Sequence, residues 1–552
     1  MCAGCGNESF ALRNGATYAC VRSLQKLLLR SYANRLVSVR RVTQENRGKK
    51  TAGVDKVLCL TPPLRGQLVD ELASYKMWQA RPARRVYIPK ANGQLRPLGI
   101  PVMRDRAMQA IVKNALEPFW EARFEETSYG FRPGRSCHDA ITHISRLANS
   151  RSLKTWVLDA DIKGAFDNIA HDHLLQAISG FPARGLIRQW LKAGYVEHGR
   201  WQPTATGTPQ GGVISPWLAN IALHGLEQAL GVTRNKWRQN FSGRAVVRYA
   251  DDFVVFGETK EDVQLAQEQL KVWLAQRGLA FSETKTRLVH LSEGFDFLSF
   301  HIQQRPAKSN AQAKHGVKLH IQPSKAAVQR KRDELRELWH SLRYRSVAVI
   351  CDRFNPIIRG WTNYFRFCSA TKTFTSFDHW MFLRSTLYVR RRHPKKSWQW
   401  KKPRYWGRLH HRRADQWVFG DTRRKTYYLR KCSWTPRERY VMVRGTASPD
   451  DPSLRDYWQK RRMKQAAQMS QWDKRALALK QRGKCLVCGA SVVDDEAACS
   501  VFANETTHLH HQRPRAKGGG DGLENRQLLH WYCHQQVHAK LQKEESSCEK
   551  PA

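Results

Sequence analysis

The chain is 552 residues long, with 41% hydrophobic and 26% charged residues, which fits several folded units of roughly 150 residues each and excludes a disordered tail. Its 94 Lys and Arg against 47 Asp and Glu give a net charge of +47, which points to a polyanion: nucleic acid first, an anionic membrane surface second. No run of about 18 apolar residues crosses a bilayer, no amphipathic basic helix dominates, and Met1-Cys2-Ala3-Gly4-Cys5-Gly6 lacks the basic and apolar stretches of a secretory signal. The expected place is where the nucleic acid is: bacterial cytoplasm or nucleoid, or an organelle in a eukaryote, neither secreted nor in a membrane. The thirteen cysteines are scattered, most of them alone among apolar residues (Cys59, Cys351, Cys368), which suits a reducing compartment rather than a disulfide scaffold. Cys2 and Cys5 have metal-like spacing but no second pair nearby, and read as an ordinary N-terminus.

Residues 18–45 carry a helical pattern (Leu24, Leu27, Leu28, Val37) with Arg and Lys between, broken by the basic loop Arg47–Gly53. Residues 85–89 and 95–100 read as strands around Asn92-Gly93, a strong hairpin signal. Residues 105–122 and 137–148 look helical, 155–162 reads as a strand, and 245–256 as two strands meeting at Asp251-Asp252. Residues 324–345 predict a helix with Ser324 as N-cap and Val328, Leu335, Leu338, Trp339 and Leu342 on one face. Residues 381–405 hold nine Lys or Arg and no acid, interleaved with Trp398, Trp400 and Tyr405. Residues 407–470 are basic, aromatic and irregular, and 483–540 are rich in Cys and His.

Two adjacent acids at the tip of an apolar hairpin, Tyr249-Ala250-Asp251-Asp252, are costly, because like charges repel and burial adds desolvation. A divalent cation removes that cost. A third acid, Asp161, ends the strand Trp156–Asp161, and three carboxylates on neighbouring strands would hold two Mg²⁺ for in-line phosphoryl transfer. An exposed acidic turn is the bland alternative for Asp251-Asp252 alone. The surrounding segments argue against it. Tyr-Ala-Asp-Asp between apolar strands resembles the central motif of reverse transcriptases. Arg85–Lys90 with Arg96–Pro101 resembles the fingers hairpin of group II intron reverse transcriptases, and Ser128-Tyr-Gly-Phe-Arg-Pro-Gly-Arg-Ser136 resembles their second block. Asp161-Ile-Lys-Gly-Ala-Phe166-Asp167, Gly207-Thr-Pro-Gln210-Gly-Gly-Val-Ile-Ser-Pro216 and Gly294-Phe-Asp-Phe-Leu298 resemble their later blocks, in family order.

The resemblance implies roles. Asp161, Asp251 and Asp252 would bind two Mg²⁺. Lys90 and Arg96 would clamp the phosphates of a dNTP. Phe166 would sit under the sugar and exclude a ribose 2′-hydroxyl. Gln210 and the glycines after it would let backbone approach the base pair. Lys285 would lie near the pyrophosphate, as a general acid or simply as a solvated lysine. Asp167 reads as a cap or turn residue and Asp159 as strand-flanking. Ser299 stands where the family usually has glycine, which bears on the turn there.

Asn355-Pro-Ile-Ile-Arg359-Gly-Trp361-Thr-Asn-Tyr364-Phe365-Arg366 resembles the maturase segment of the same family, with aromatics packing and Arg359 and Arg366 facing out. The runs Arg390–Arg392, Lys395-Lys396 and Lys401-Lys402 suit RNA phosphates, read largely by shape. Cys485-Leu-Val-Cys488 with His530-Trp-Tyr-Cys533 is a structural Zn²⁺ pattern in which histidine replaces one cysteine, and Cys499 is a rival fourth ligand. The rest of that end resembles an HNH endonuclease. His511 would be the general base, since histidine's ordinary pKa of about 6.5 suits the task. Asn525 would fix the loop. His510, His534 and His538, the last two four apart on one helix face, would hold a divalent Mg²⁺ or Mn²⁺. A zinc knuckle that only binds DNA is the alternative.

The expected fold is α+β multidomain: a right-hand polymerase whose fingers and palm carry an antiparallel sheet, an α-helical thumb and maturase (X) domain, and a small ββα-metal HNH domain. The expected division is 1–75, a basic RNA-binding extension; 76–300, fingers and palm; 301–406, thumb and maturase; 407–470, a basic DNA-binding region; and 471–552, the nuclease with its zinc site. The resemblance implies a group II intron-encoded protein with three activities. These are RNA-directed DNA polymerisation, assistance to intron splicing, and target-strand cleavage that primes reverse transcription. Its partners would be the intron RNA in a ribonucleoprotein, target DNA and dNTPs, with no membrane; nothing selects monomer or dimer. The alternatives are a host-adopted splicing factor that keeps the fold for RNA binding, and a reverse transcriptase of a retron or CRISPR-associated system.

Overall fold

The structure, a computed structural model, describes residues 18–73, 78–89, 93, 95–233, 240, 242–307, 316–469, 471–493 and 507–548. Cys2, Cys5, Lys90, Asn92 and Cys499 lie outside these residues. Among them, no helix is long and apolar enough to cross a membrane.

The first helices, Tyr18–Arg30 and Tyr32–Arg40, are separated at Ser31, whose hydroxyl accepts from Asn34 N at 3.3 Å. That break resets the helical phase. The buried face is Val21, Gln25 and Leu28, then Asn34, Ser38 and Val39, while Leu27, expected inside, is 53% exposed. Asn34 is buried because its amide has partners, donating to Leu28 O and Ile111 O. Val39, Val42, Leu68 and Leu72 then pack on Met103, Ala107, Ala110 and Ile111 of the long helix Met103–Glu121.

Strands β1 (Ala83–Pro89) and β2 (Leu95–Ile100) form the expected antiparallel hairpin, with Ile88 opposite Arg96. Next come β3 (Trp156–Ala160), β4 (Tyr195–Glu197) and β5 (Arg200–Gln202). The last two join the hairpin in a sheet of order β2-β1-β4-β5, β1 pairing with β4 in parallel. Strands β6 (Ala245–Tyr249), β7 (Asp252–Gly257) and β8 (Arg287–His290) combine with β3 in an antiparallel sheet of order β6-β7-β3-β8. This second sheet is covered on both faces. Leu158, Val246, Phe253 and Val255 enter one core, and Val157, Val247, Val254 and Phe256 enter the other. Double burial explains why these strands read as continuous apolar runs rather than as alternation.

A three-stranded sheet, β9 (Phe295–Phe297), β10 (Phe300–Pro306) and β11 (Val317–Pro323), leads into helices Lys325–Ser341, Val347–Phe365 and Thr371–Arg392. Ser324 caps the first of them, accepting from Ala327 N. The turn between β9 and β10 is left-handed at Leu298 (φ 48°) and Ser299 (φ 69°). A side chain is strained there, so Ser299→Gly should stabilise the protein by roughly 1 kcal/mol. An unchanged or lower denaturant midpoint would refute this.

Trp361 and Phe365 are buried, as expected. Arg359 and Arg366 do not face out. Burial holds both guanidinium groups below their ordinary pKa, and Arg366 pairs with Glu438 at 3.2 Å and donates to Gln468 O at 3.0 Å. Their helix is overlaid by the segment that follows it, which periodicity within the helix does not reveal.

Residues 407–470 are less irregular than expected. A short pair, β12 (Trp406–Gly407) with β13 (Val418–Phe419), opens the region, and the helix Arg455–Ala467 closes it. Residues 440–451 strap across the second block. Asp139 accepts from Val443 N at 2.7 Å and Tyr440 OH at 2.9 Å, Arg135 donates to Gly445 O at 2.8 Å, and the Trp458 ring lies against Gly134.

Within the strap, burial raises the Asp450 carboxyl to about 7, with Glu117 and Glu121 adding like charge. The folded protein then keeps a proton that the unfolded chain releases. Stability therefore falls as pH rises from the ordinary carboxylate range, about 4, through about 7. Asp450→Asn should remove that fall, worth at most about 4 kcal/mol. Its melting temperature should exceed the parent's at pH 8 and match it below about pH 4. An advantage that does not vary with pH would refute the assignment.

The C-terminal end is β14 (Thr507–His511) paired antiparallel with β15 (Arg526–His530), followed by the helix Trp531–Cys548, a ββα unit. It lies against the N-terminal helices. Arg40 stands 4.8 Å over the Tyr532 ring and Lys49 stands 3.9 Å over Trp531.

Candidate active sites and metal centres

The β6–β7 turn is positioned from below. Ala250 takes a left-handed φ of 60°, and a Cβ on Gly130 would stand 2.3 Å from its nitrogen, so only glycine fits beneath the turn. Arg248, 1% exposed, donates to Ala250 O and to Asn220 Oδ1, and Asn220 donates to Gly130 O. The second block therefore serves as a seat for the acidic turn.

Asp251 and Asp252 follow at the start of β7, and Asp161 follows the end of β3, which pairs with β7. Burial raises the Asp251 carboxyl, and it pushes Asp252 up to about 7, with Asp251, Asp161 and Asp159 adding repulsion. Asp159 lies inside β3 rather than flanking it, and burial raises it to about 6. These are hard oxygen donors in an electrostatically crowded place, a set that fits Mg²⁺. They do not converge as closely as the two Cys/His groups described below. Lys285 reaches Asp161 Oδ2 at 2.7 Å and supplies a local positive charge. Arg96, on the hairpin, lies close enough to lower the Asp251 pKa.

The Gln210 loop is stitched to the hairpin, with Gly99 N donating to Gln210 O at 2.7 Å. Gly211, at φ 124°, brings its backbone so near that a Cβ would stand 2.8 Å from Gly99 O. The Gln210 amide donates to Asp167 Oδ2 at 3.1 Å, so Asp167 orients Gln210 and is more than a turn residue. The Phe166 ring lies edge-on to Phe131, centroids 6.3 Å apart.

At the C-terminal end, Cys485, Cys488, His530 and Cys533 bring one ligand atom each within 4.8 Å of the others. Cys488 Sγ is 3.4 Å and Cys533 Sγ 3.9 Å from His530 Nδ1. His530 Nε2 bonds Ser491 O at 2.9 Å, an outer contact of the kind that orients a ligating imidazole. Three thiols and an imidazole at these spacings fit a tetrahedral Zn²⁺.

His510, His534 and His538 form the second such group. His534 and His538 present Nε2 atoms 3.3 Å apart, and His510 Nδ1 is buried without a hydrogen-bond partner. Burial lowers the pKa of His510, and of His534 to about 4, with His538 and His510 adding to the latter. Neutral imidazoles with converging lone pairs fit a divalent ion.

His511 is next on β14. Its Nε2 lies 2.8 Å from Asp521 Oδ1, a residue that sequence reasoning missed although Gly518-Gly519-Gly520 leads straight into it. Arg515 and His511 hold the Asp521 carboxyl below the usual range. Asn525 ties the intervening loop, donating to Arg513 O and Gly520 O and accepting from Arg513 N.

Four families match along the chain. Residues 11–72 match the N-terminal domain of reverse transcriptase, and 88–302 match reverse transcriptase (RNA-dependent DNA polymerase). Residues 328–406 match the group II intron maturase-specific domain and 485–540 the HNH endonuclease. The chain is 35% identical over 330 residues to Protein YkfC of Escherichia coli (strain K12), covering 53% of this chain and 86% of that one. It is 30% identical over 381 residues to the group II intron-encoded protein LtrA of Lactococcus lactis subsp. cremoris, covering 54% and 63%. It is 29% identical over 373 residues to an uncharacterized 91 kDa protein in the cob intron of Schizosaccharomyces pombe, covering 54% and 45%. The chain thus spans less than two thirds of the last two.

Proposed function

The chain belongs to the group II intron-encoded proteins that join reverse transcriptase, maturase-specific and HNH endonuclease domains, and we propose that it acts as an RNA-directed DNA polymerase, a splicing maturase and a DNA endonuclease for the intron that encodes it. The observation that carries this reading is the buried acidic turn Asp251-Asp252 beside Asp161, facing a hairpin that presents Arg96. Two Mg²⁺ on these aspartates would supply the positive charge that makes the primer 3′-hydroxyl acidic and neutralises the triphosphate.

The chain's own residues do the rest. Arg96, with Lys90, binds triphosphate oxygens. Gln210, oriented by Asp167, lies beside the nascent pair, and Phe166 underlies the sugar and excludes a 2′-hydroxyl. Lys285 neutralises Asp161 and stands where a leaving pyrophosphate would pass. In the nuclease, Cys485, Cys488, His530 and Cys533 would hold a structural Zn²⁺. His510, His534 and His538 would hold Mg²⁺ or Mn²⁺, which supplies Lewis-acid charge to the scissile phosphate. His511 takes the proton of the attacking water. The basic helices of 301–406 would bind intron RNA, residues 1–75 would extend that surface, and 407–470 would bind target DNA. The place of action would be the bacterial cytoplasm or nucleoid, or an organelle.

Sequencing the RNA that copurifies with the protein from its native cells tests the whole reading. One dominant intron that encodes this chain is expected. Many unrelated introns would point instead to a host-adopted splicing factor.

A further inference from the structure

The loops after the maturase helices form an open pocket of about 280 Å³ lined by His410, Arg412, Arg413, Arg430 and Trp434. No acid lines it. Arg359, on the helix Val347–Phe365, adds a further charge behind. Burial, then Arg359 and Arg413, hold the Arg430 guanidinium below its ordinary pKa. Arg430 Nε is buried without a hydrogen-bond partner. The neighbouring carboxylate, Asp415, already accepts from Lys431 Nζ and Trp434 Nε1, each at 2.9 Å.

The walls are fixed. Arg430 N donates to Asn355 Oδ1 at 2.8 Å, Asn355 Nδ2 donates to Tyr428 O at 2.9 Å, and Arg413 donates to Trp434 O at 3.1 Å. The His410 ring meets the Trp434 ring edge-on at 5.0 Å. Arg412 and Arg413 are exposed, whereas Arg430 is half-buried and its unpartnered Nε is out of water, a cost that an anion would remove. Guanidinium forks match the paired oxygens of a phosphate. The lining residues all come from the basic region behind the maturase helix, which braces them through Asn355.

We propose that this pocket is a phosphate site for a nucleic-acid strand, with Arg412, Arg413 and Arg430 as its donors. The inference rests on the nucleic-acid reading above and adds a specific seat to it. The phosphate is either a terminal monoester or an internal phosphodiester, and the test separates them.

Two short single-stranded DNAs of one sequence, with a 5′-phosphate or a 5′-hydroxyl, are titrated against the full chain and against Arg430→Gln, Arg412→Gln and Arg423→Gln. Arg423 is exposed, outside the pocket, and measures generic charge loss. Both pocket variants should bind about tenfold more weakly than Arg423→Gln, with a salt slope lower by about one. A preference of the parent for the 5′-phosphate, lost in both variants, assigns a terminal phosphate. Equal weakening for both DNAs assigns an internal one. Affinities no lower than that of Arg423→Gln overturn the site, as does a parent that binds neither DNA. Should Arg430→Gln not fold, the exposed Arg412 carries the test alone. Primer extension is measured in parallel. Failure of the parent there would sink the polymerase reading and not the pocket.

Discussion

Asp252→Ala is expected to lower primer extension on an RNA template by at least about 10³-fold, while binding and splicing of the intron RNA persist. The carboxylate stands at the head of β7 among Asp251, Asp161 and Asp159, and burial with their repulsion raises its pKa to about 7. Alanine removes a hard oxygen donor and leaves nothing to take its place. It also relieves a crowded negative site, so the variant should fold at least as well as its parent. The maturase helices share a core with Tyr249 and with Val254 and Phe256 of β7, but the Asp252 carboxylate is not part of it. Their aromatic core is built from Trp361, Phe365, Phe374 and Phe377, so splicing should be separable from copying. Near-parent extension would remove Asp252 from the site. Loss of splicing together with extension, with RNA binding intact, would count against separable roles. The conservative Asp252→Asn keeps the volume without the charge and should fail equally, which separates charge from packing.

The acidic turn was legible because its signals are local. Tyr249-Ala250-Asp251-Asp252 lies between runs that only a doubly covered sheet explains, and Asp161 ends a similar run. The fingers hairpin was legible from Gly93 and its flanking strands, and the helix from Ser324 from its cap and stripe. Contacts between distant segments were not. Nothing near Asp167 announces that Gln210, 43 positions on, donates to it. Arg135 read as part of a polymerase block and Asp139 as part of the helix after it, yet their partners Gly445 and Val443 lie about 300 residues later. Arg359 and Arg366 were placed on a solvated face because a helix's own periodicity cannot count a later strap laid over it. Leu27 was misplaced for a smaller reason. Its helix buries the face of Val21, Gln25 and Leu28, and an apolar stripe that skips the polar Gln25 is drawn off that face. Spacing does specify ligands where chemistry demands proximity. Cys485, Cys488, His530 and Cys533 lie together, as do His510, His534 and His538.

His511→Ala should abolish cleavage of the target DNA strand, by roughly 10²–10⁴-fold for a lost general base, and leave primer extension on a ready-made primer unchanged. The two active sites share no side chain. His511 lies on β14, one residue beyond His510, and alternation along the strand sends the two imidazoles to different surroundings. His510 turns to His534 and His538, while His511 meets Asp521. The Asp521 carboxylate accepts from Nε2–H, which leaves Nδ1 as the basic nitrogen. Asp521→Asn should therefore slow cleavage by less than His511→Ala does, because it loosens the tautomer without removing the base. Asn525→Ala should act through the loop, since its amide holds Arg513 and Gly520 rather than substrate. Cleavage that survives His511→Ala would show that His511 is not the base. Cleavage lost in His511→Ala but rescued by added imidazole would tie the loss to the missing base.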